Sequence, residues 1–137
     1  MSQHFKQIEH LGIAVANLLE AEERYTAMLG HPPYKREAVE REGVMTSFFQ
    51  VGPNKIELLE ATRPDSPISA FIEKRGEGLH HVAYLVKDIR VEMERLKSEG
   101  FKLLSDEPKP GADGMLVAFV HPKTAGGVLV ELCQPNH

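Results

Sequence analysis

The sequence predicts an α+β fold made of two tandem modules, each a strand, a helix and then about three more strands. Three observations carry this. First, Ile8-Glu9-His10-Leu11-Gly12-Ile13-Ala14-Val15-Ala16-Asn17-Leu18 lies over Leu79-His80-His81-Val82-Ala83-Tyr84-Leu85-Val86-Lys87-Asp88-Ile89, with His on His, Val on Val and Asn on Asp. Second, a capped helical pattern ending in glycine follows each segment. Third, each half closes on a strand-like run with a glutamate among aliphatic residues, Ile56-Glu57-Leu58-Leu59 over Val130-Glu131-Leu132-Cys133.

The elements follow in order. After the first strand, Asn17 suits an N-cap and Glu20 a capping box, with Ala21, Tyr25, Met28 and Leu29 on one helical face and Gly30 as the stop. Val44 to Val51 and Lys55 to Glu60 alternate as strands. Ser66, Pro67 and Gly76 mark the cap, first turn and end of a short helix over 66–76 that joins the modules, about 6–62 and 78–135, into one domain spanning 1–137. In the second module Asp88 caps a helix with Ile89, Met93 and Leu96 as its stripe and Gly100 as its end. Residues Ser105 to Gly114, with two prolines and two glycines, read as the longest loop, before strands at Leu116 to His121 and Val128 to Gln134.

Composition bounds the function. At 137 residues the chain is one ordinary domain, and such a domain buries about 68% of its unfolded surface without staples. A net charge of −4 argues against a nucleic-acid partner, and no apolar run reaches the roughly 20 residues of a membrane span. The N-terminal residues lack the pattern of a signal peptide or transit leader. The single cysteine, Cys133, excludes an internal disulfide and fits a cytoplasmic location.

Strand alternation puts His10 with Gly12 and Ala14, and His81 with Ala83, so small residues flank both histidines and leave room for a cavity. Glu57 and Glu131 lie on the faces opposite Ile56 and Leu58, and Val130 and Leu132. A pseudo-twofold relation between the modules would gather His10, Glu57, His81 and Glu131. Two imidazoles and two carboxylates suit a divalent ion such as Co, Zn, Mn or Ni. An unpaired buried glutamate is costly, so a metal gives these positions a physical reason. A lone strand histidine is more often a hydrogen-bonded core residue; the repeat of all four positions is what favours ligands.

These residues resemble the vicinal oxygen chelate superfamily, and most closely its methylmalonyl-CoA epimerase family. The resemblance runs from Glu9-His10-Leu11-Gly12-Ile13-Ala14-Val15 to Gly127-Val128-Leu129-Val130-Glu131-Leu132, through Ile56-Glu57-Leu58-Leu59-Glu60, Asp65-Ser66-Pro67-Ile68, Glu73-Lys74-Arg75-Gly76-Glu77-Gly78-Leu79-His80-His81, Asp106-Glu107-Pro108 and His121-Pro122-Lys123. It implies a curved mixed sheet around a metal-binding cavity, an acyl-CoA substrate and a homodimer. It also implies epimerisation of (2R)- and (2S)-methylmalonyl-CoA through a metal-stabilised enolate. The implied metal ligands are His10, Glu57, His81 and Glu131, with Glu131 as one acid/base. At the position of a second family carboxylate this chain has Thr46, which cannot act as a comparable base, so Glu57 is the symmetry-related candidate. Glu40 and Glu42 are expected to be solvated.

Rival functions share the fold: a glyoxalase I-type isomerase with the same ligand set, an iron dioxygenase with a three-residue triad, and a non-catalytic small-molecule-binding protein. His80 has the wrong parity for a ligand and is expected to pack. His121 beside Pro122 reads as structural or as the site mouth. Lys74, Arg75, Lys109 and Lys123 are candidate contacts for CoA phosphates, although isolated surface cations are common. Phe48, Phe49, Phe71 and Phe119 are expected in the core or a cavity wall.

Overall fold

The computed structural model describes residues 4–136. Its elements are β1 (Phe5–Ala14), α1 (Leu18–Leu29), β2 (Lys35–Val39), β3 (Val44–Val51), β4 (Asn54–Ala61), α2 (Pro67–Arg75), β5 (Gly78–Val86), α3 (Ile89–Ser98), β6 (Lys109–Pro110), β7 (Met115–Val120) and β8 (Val130–Pro135). The N-caps are those the sequence predicts, while α3 ends on Glu99, one residue before the expected Gly100. Asn17 accepts from the Glu20 amide, Ser66 from Ile68 and Asp88 from Val91. Gly30 closes α1 at φ 85, where a side chain would be strained. The predicted loop 105–114 carries the two-residue β6 and a short 3-10 turn at Ala112–Gly114.

The chain forms two compact units, Leu11–His80 and the described part of Met1–His10 with His81–His137. They do not follow the repeat, because β1 is divided between them. In the Leu11–His80 unit the strand order is β2-β3-β4-β1. Leu58 and Phe49 pack with Leu18 and Ala21 of α1, and Leu59 and Val44 pack with Ile68 of α2. Met28, expected on the apolar face, is 64% exposed; it lies one step off the Leu18, Ala21, Tyr25, Leu29 stripe, on its solvent flank. In the other unit the order is β1-β5-β8-β7-β6. The sheet is mixed, since β5 and β8 run parallel while β7 and β8 run antiparallel. Leu132 of β8 packs with Val86, Ile89, Met93 and Leu96. The Ile56–Leu58 face of β4 and the Leu132 face of β8 therefore sit on α1 and α3, as the alternation predicts, whereas Leu59, on the Glu57 face, and Ala14, on the His10 face, pack with Ile68 of α2.

An ion pair between a buried carboxylate and a half-exposed guanidinium ties α1 to its sheet. Glu22 accepts from both Nε and Nη2 of Arg36 on β2, and from the Ser47 hydroxyl on β3 at 2.6 Å. The Arg36 hydrogen bonds hold the Glu22 carboxyl below its ordinary range, against the effect of burial. A lowered native pKa means that the unfolded chain takes up the proton first. Glu22 therefore contributes stability that is fully present above the unfolded value of about 4.3 and is lost as pH falls through the native one. Denaturant titrations from pH 7 down to pH 3 should show this loss. Arg36→Gln should be less stable at pH 7 and should lose less on acidification; a wild-type acid slope in the variant would remove the pair as its source.

Candidate metal centre

Local sheet geometry places the site residues. In the parallel pairing of β5 and β8, Ala83 lies beside Glu131, and Ala83 is two residues along the same face from His81. On the other side of β8, Phe119 of β7 is the partner of Glu131. The Phe119 ring meets His81 edge-on at 5.9 Å between centroids. The small Ala83 and the Phe119 ring are thus the neighbours of Glu131 on the two flanking strands.

Three predicted residues converge here. Nε2 of His10 lies 3.1 Å from Nε2 of His81, and both face Oε1 of Glu131, at 3.3 and 2.9 Å. The three residues are 3%, 6% and 5% exposed, so water does little to satisfy them. Behind His10, Nδ1 is 2.6 Å from Oε1 of Glu9, and behind Glu131 the Cys133 thiol donates to Oε2 at 3.5 Å. Burial pushes the Glu131 carboxyl up, but hydrogen bonds and charge from His10 and His81 outweigh it and hold the group below the usual carboxylate range.

The donor chemistry fits a divalent cation. Glu9 can accept from Nδ1 of His10, and a neutral His10 in that tautomer would direct its Nε2 lone pair at a second ring nitrogen and a carboxylate oxygen. Three such atoms within about 3 Å of one another need a shared cation or protons between them. Two imidazoles and a carboxylate suit a borderline divalent metal, and a carboxylate behind a ligating histidine is a common supporting feature.

The remaining predicted residues fall as follows. Glu57 lies on β4 in the Leu11–His80 unit, buried at 5% and opposite Phe48 of β3. Thr46 is buried between Glu37 and Leu59. Glu40 is exposed and Glu42 half-buried, in a short turn before β3. His80 packs edge-on against Phe71, with ring centroids 5.0 Å apart. His121 caps the turn at Pro122–Thr124 by accepting from the Lys123 amide. Lys74, Arg75, Lys109 and Lys123 are exposed, with Arg75 over the Phe71 ring. Phe48 and Phe49 are fully buried.

Sequence reasoning gave no role to Glu9. Strand alternation puts it on the face opposite His10, and its repeat partner is His80, so neither signal marks it. The flexible glutamate stem brings the carboxylate back to Nδ1, the ring nitrogen nearer the backbone.

The fold and this centre define a vicinal oxygen chelate protein, and the model of the glyoxalase/bleomycin resistance protein/dioxygenase superfamily matches residues 9–119. The ethylmalonyl-CoA/methylmalonyl-CoA epimerase of Cereibacter sphaeroides is 41% identical, covering 93% of this chain and 97% of its own. The Bacillus subtilis protein YqjC is 40% identical over 95% of this chain and 93% of its own. Among solved structures, Streptomyces coelicolor methylmalonyl-CoA epimerase in complex with 2-nitronate-propionyl-CoA superposes with a TM-score of 0.92, at 34% identity, covering 96% of this chain and 95% of that one. The chain belongs to the methylmalonyl-CoA epimerase family of this superfamily. No helix among its described residues is long and apolar enough to cross a membrane.

Proposed function

We propose that this protein is a metal-dependent epimerase interconverting (2R)- and (2S)-methylmalonyl-CoA by proton abstraction alpha to the thioester. The observation that carries the reading is the buried triangle of His10 Nε2, His81 Nε2 and Glu131 Oε1, in a chain of this family. His10, His81 and Glu131 would hold a divalent ion (Co, Zn, Mn or Ni), with Glu57 as the fourth ligand. When bound, that ion supplies Lewis-acid stabilisation of the negative charge that develops on the thioester oxygen.

The protein's own groups handle the proton. Glu131 is held ionised by its histidine neighbours, and we assign it the proton on one face of the substrate. Inverting a carbon through a planar enolate is simplest with one acid/base on each face. Glu57, the repeat equivalent of Glu131, is our candidate for the opposite face. It is supported by its place in the repeat and its burial, and Thr46 has no ionisable group for the task. We also propose a homodimer and a cytoplasmic location, the latter supported by a lone buried thiol that requires no oxidising compartment.

The test is deuterium incorporation at C2 of (2R)-methylmalonyl-CoA in heavy water, with protein stripped by chelator and then reloaded with cobalt or zinc. Exchange should appear on reloading and vanish on stripping. No exchange above the protein-free control in either metal form would overturn the reading. Turnover of a glutathione hemithioacetal under the same conditions would instead indicate a glyoxalase I-type isomerase.

A further inference from the structure

We infer that Glu9 is a positioning residue that sets the tautomer and aim of His10, so that Nε2 presents a lone pair to the centre. The Glu9 carboxylate is 7% exposed and lies 2.6 Å from His10 Nδ1, at the short end for a charge-assisted hydrogen bond. With Glu9 ionised, as the proposal takes it to be, its carboxylate only accepts and Nδ1 carries the proton. In a neutral ring that leaves Nε2 unprotonated, and Nε2 is the atom 3.1 Å from His81 Nε2 and 3.3 Å from Glu131 Oε1. Without an acceptor at Nδ1 the proton is free to sit on Nε2, where it blocks the lone pair. Glu9 also fixes the ring plane: the His10 and His81 rings stand edge to face, 85° apart, which points both Nε2 atoms inward. The His81 side has no equivalent carboxylate in sequence, because the residue before His81 is His80, packed on Phe71.

This rests on reading the centre as a metal site, and the experiment separates the two. Co2+ affinity is measured by chelator competition for wild type, Glu9→Gln, Glu9→Asp and Glu9→Ala, alongside thermal unfolding of each metal-free protein. Gln keeps an oxygen acceptor at the same reach. Asp keeps the charge but is one methylene too short. Glu9→Ala and Glu9→Asp should bind Co2+ about 10–100-fold more weakly than wild type, the usual effect of losing an outer hydrogen bond. Glu9→Gln should stay within a few-fold of wild type. In the metal-free proteins above pH 8, the ring 15N shifts of His10 should show the Nδ1–H tautomer in wild type and Glu9→Gln, and a move toward Nε2–H in Glu9→Ala. An affinity order that follows charge, with Asp near wild type and Gln near Ala, overturns the proposal, as does wild-type affinity in Glu9→Ala. A wild type that binds no Co2+ overturns the metal reading and this proposal together. Wild-type binding with a flat variant series overturns this proposal alone.

Discussion

Glu131→Gln should lower deuterium exchange at C2 of methylmalonyl-CoA by about 100- to 10,000-fold, the range that a positioned acid/base contributes. The substitution is nearly isosteric and leaves an oxygen to face His81 and His10, now 2.9 and 3.3 Å from Oε1. It removes the capacity to accept a proton at neutral pH. The fold should survive, because the core here is built from the opposite face of the strand, where the neighbouring Leu132 packs with Ile89, Met93 and Leu96. Metal content must be measured in the same samples, since an amide is a poorer ligand than a carboxylate, and exchange should be compared at saturating Co2+. If Glu131 serves one face of the substrate only, the loss should differ between (2R) and (2S) starting material, and Glu57→Gln should show the opposite bias. Near wild-type exchange in the metal-loaded Glu131→Gln protein would remove its role as base.

The legible parts of this molecule are those where a repeat and a period agree. Asn17, Ser66 and Asp88 act as the predicted caps because a short polar side chain before an apolar stripe has few other uses. His10, His81 and Glu131 were legible because period-two alternation fixes their faces and the repeat pairs their strands. Met28 was misplaced because helical periodicity defines a stripe but not its edges. Glu9 was invisible for a stronger reason. Its interaction runs between adjacent residues of one strand, where alternation predicts opposite faces, and only the torsions of a flexible stem bring the two groups together. Likewise, the parity of Cys133 placed it beside Glu131, but its donation to Oε2 depends on a distance that no pattern encodes. The division of β1 at His10 could not be read either, since the repeat treats residues 8–18 as one block while the contacts do not.

His81→Ala should abolish most of the stabilisation that metal confers on the folded protein. A ligand that binds only the native state at 100 times its dissociation constant adds about 2.7 kcal/mol. His81 supplies one of three converging donor atoms, and its ring also meets Phe119 at 5.9 Å, so truncation removes a proposed ligand and a ring contact. An outer hydrogen bond is worth about 10–100-fold in affinity, and a direct ligand must exceed that. At a Co2+ concentration giving wild type the full gain, a variant weakened about 100-fold would gain only about 0.4 kcal/mol. The measurement is thermal unfolding with and without Co2+ at that fixed concentration. The metal-free melting of the variant serves as its own baseline, so a loss of packing at Phe119 is not mistaken for a loss of binding. His10 Nε2 and Glu131 Oε1, 3.3 Å apart in the wild type, would remain with the proposed ligand Glu57, and a site short of one imidazole should hold the ion weakly. The full gain in His81→Ala would strike His81 from the ligand set and leave its 2.9 Å approach to Glu131 as a hydrogen bond that positions the carboxylate.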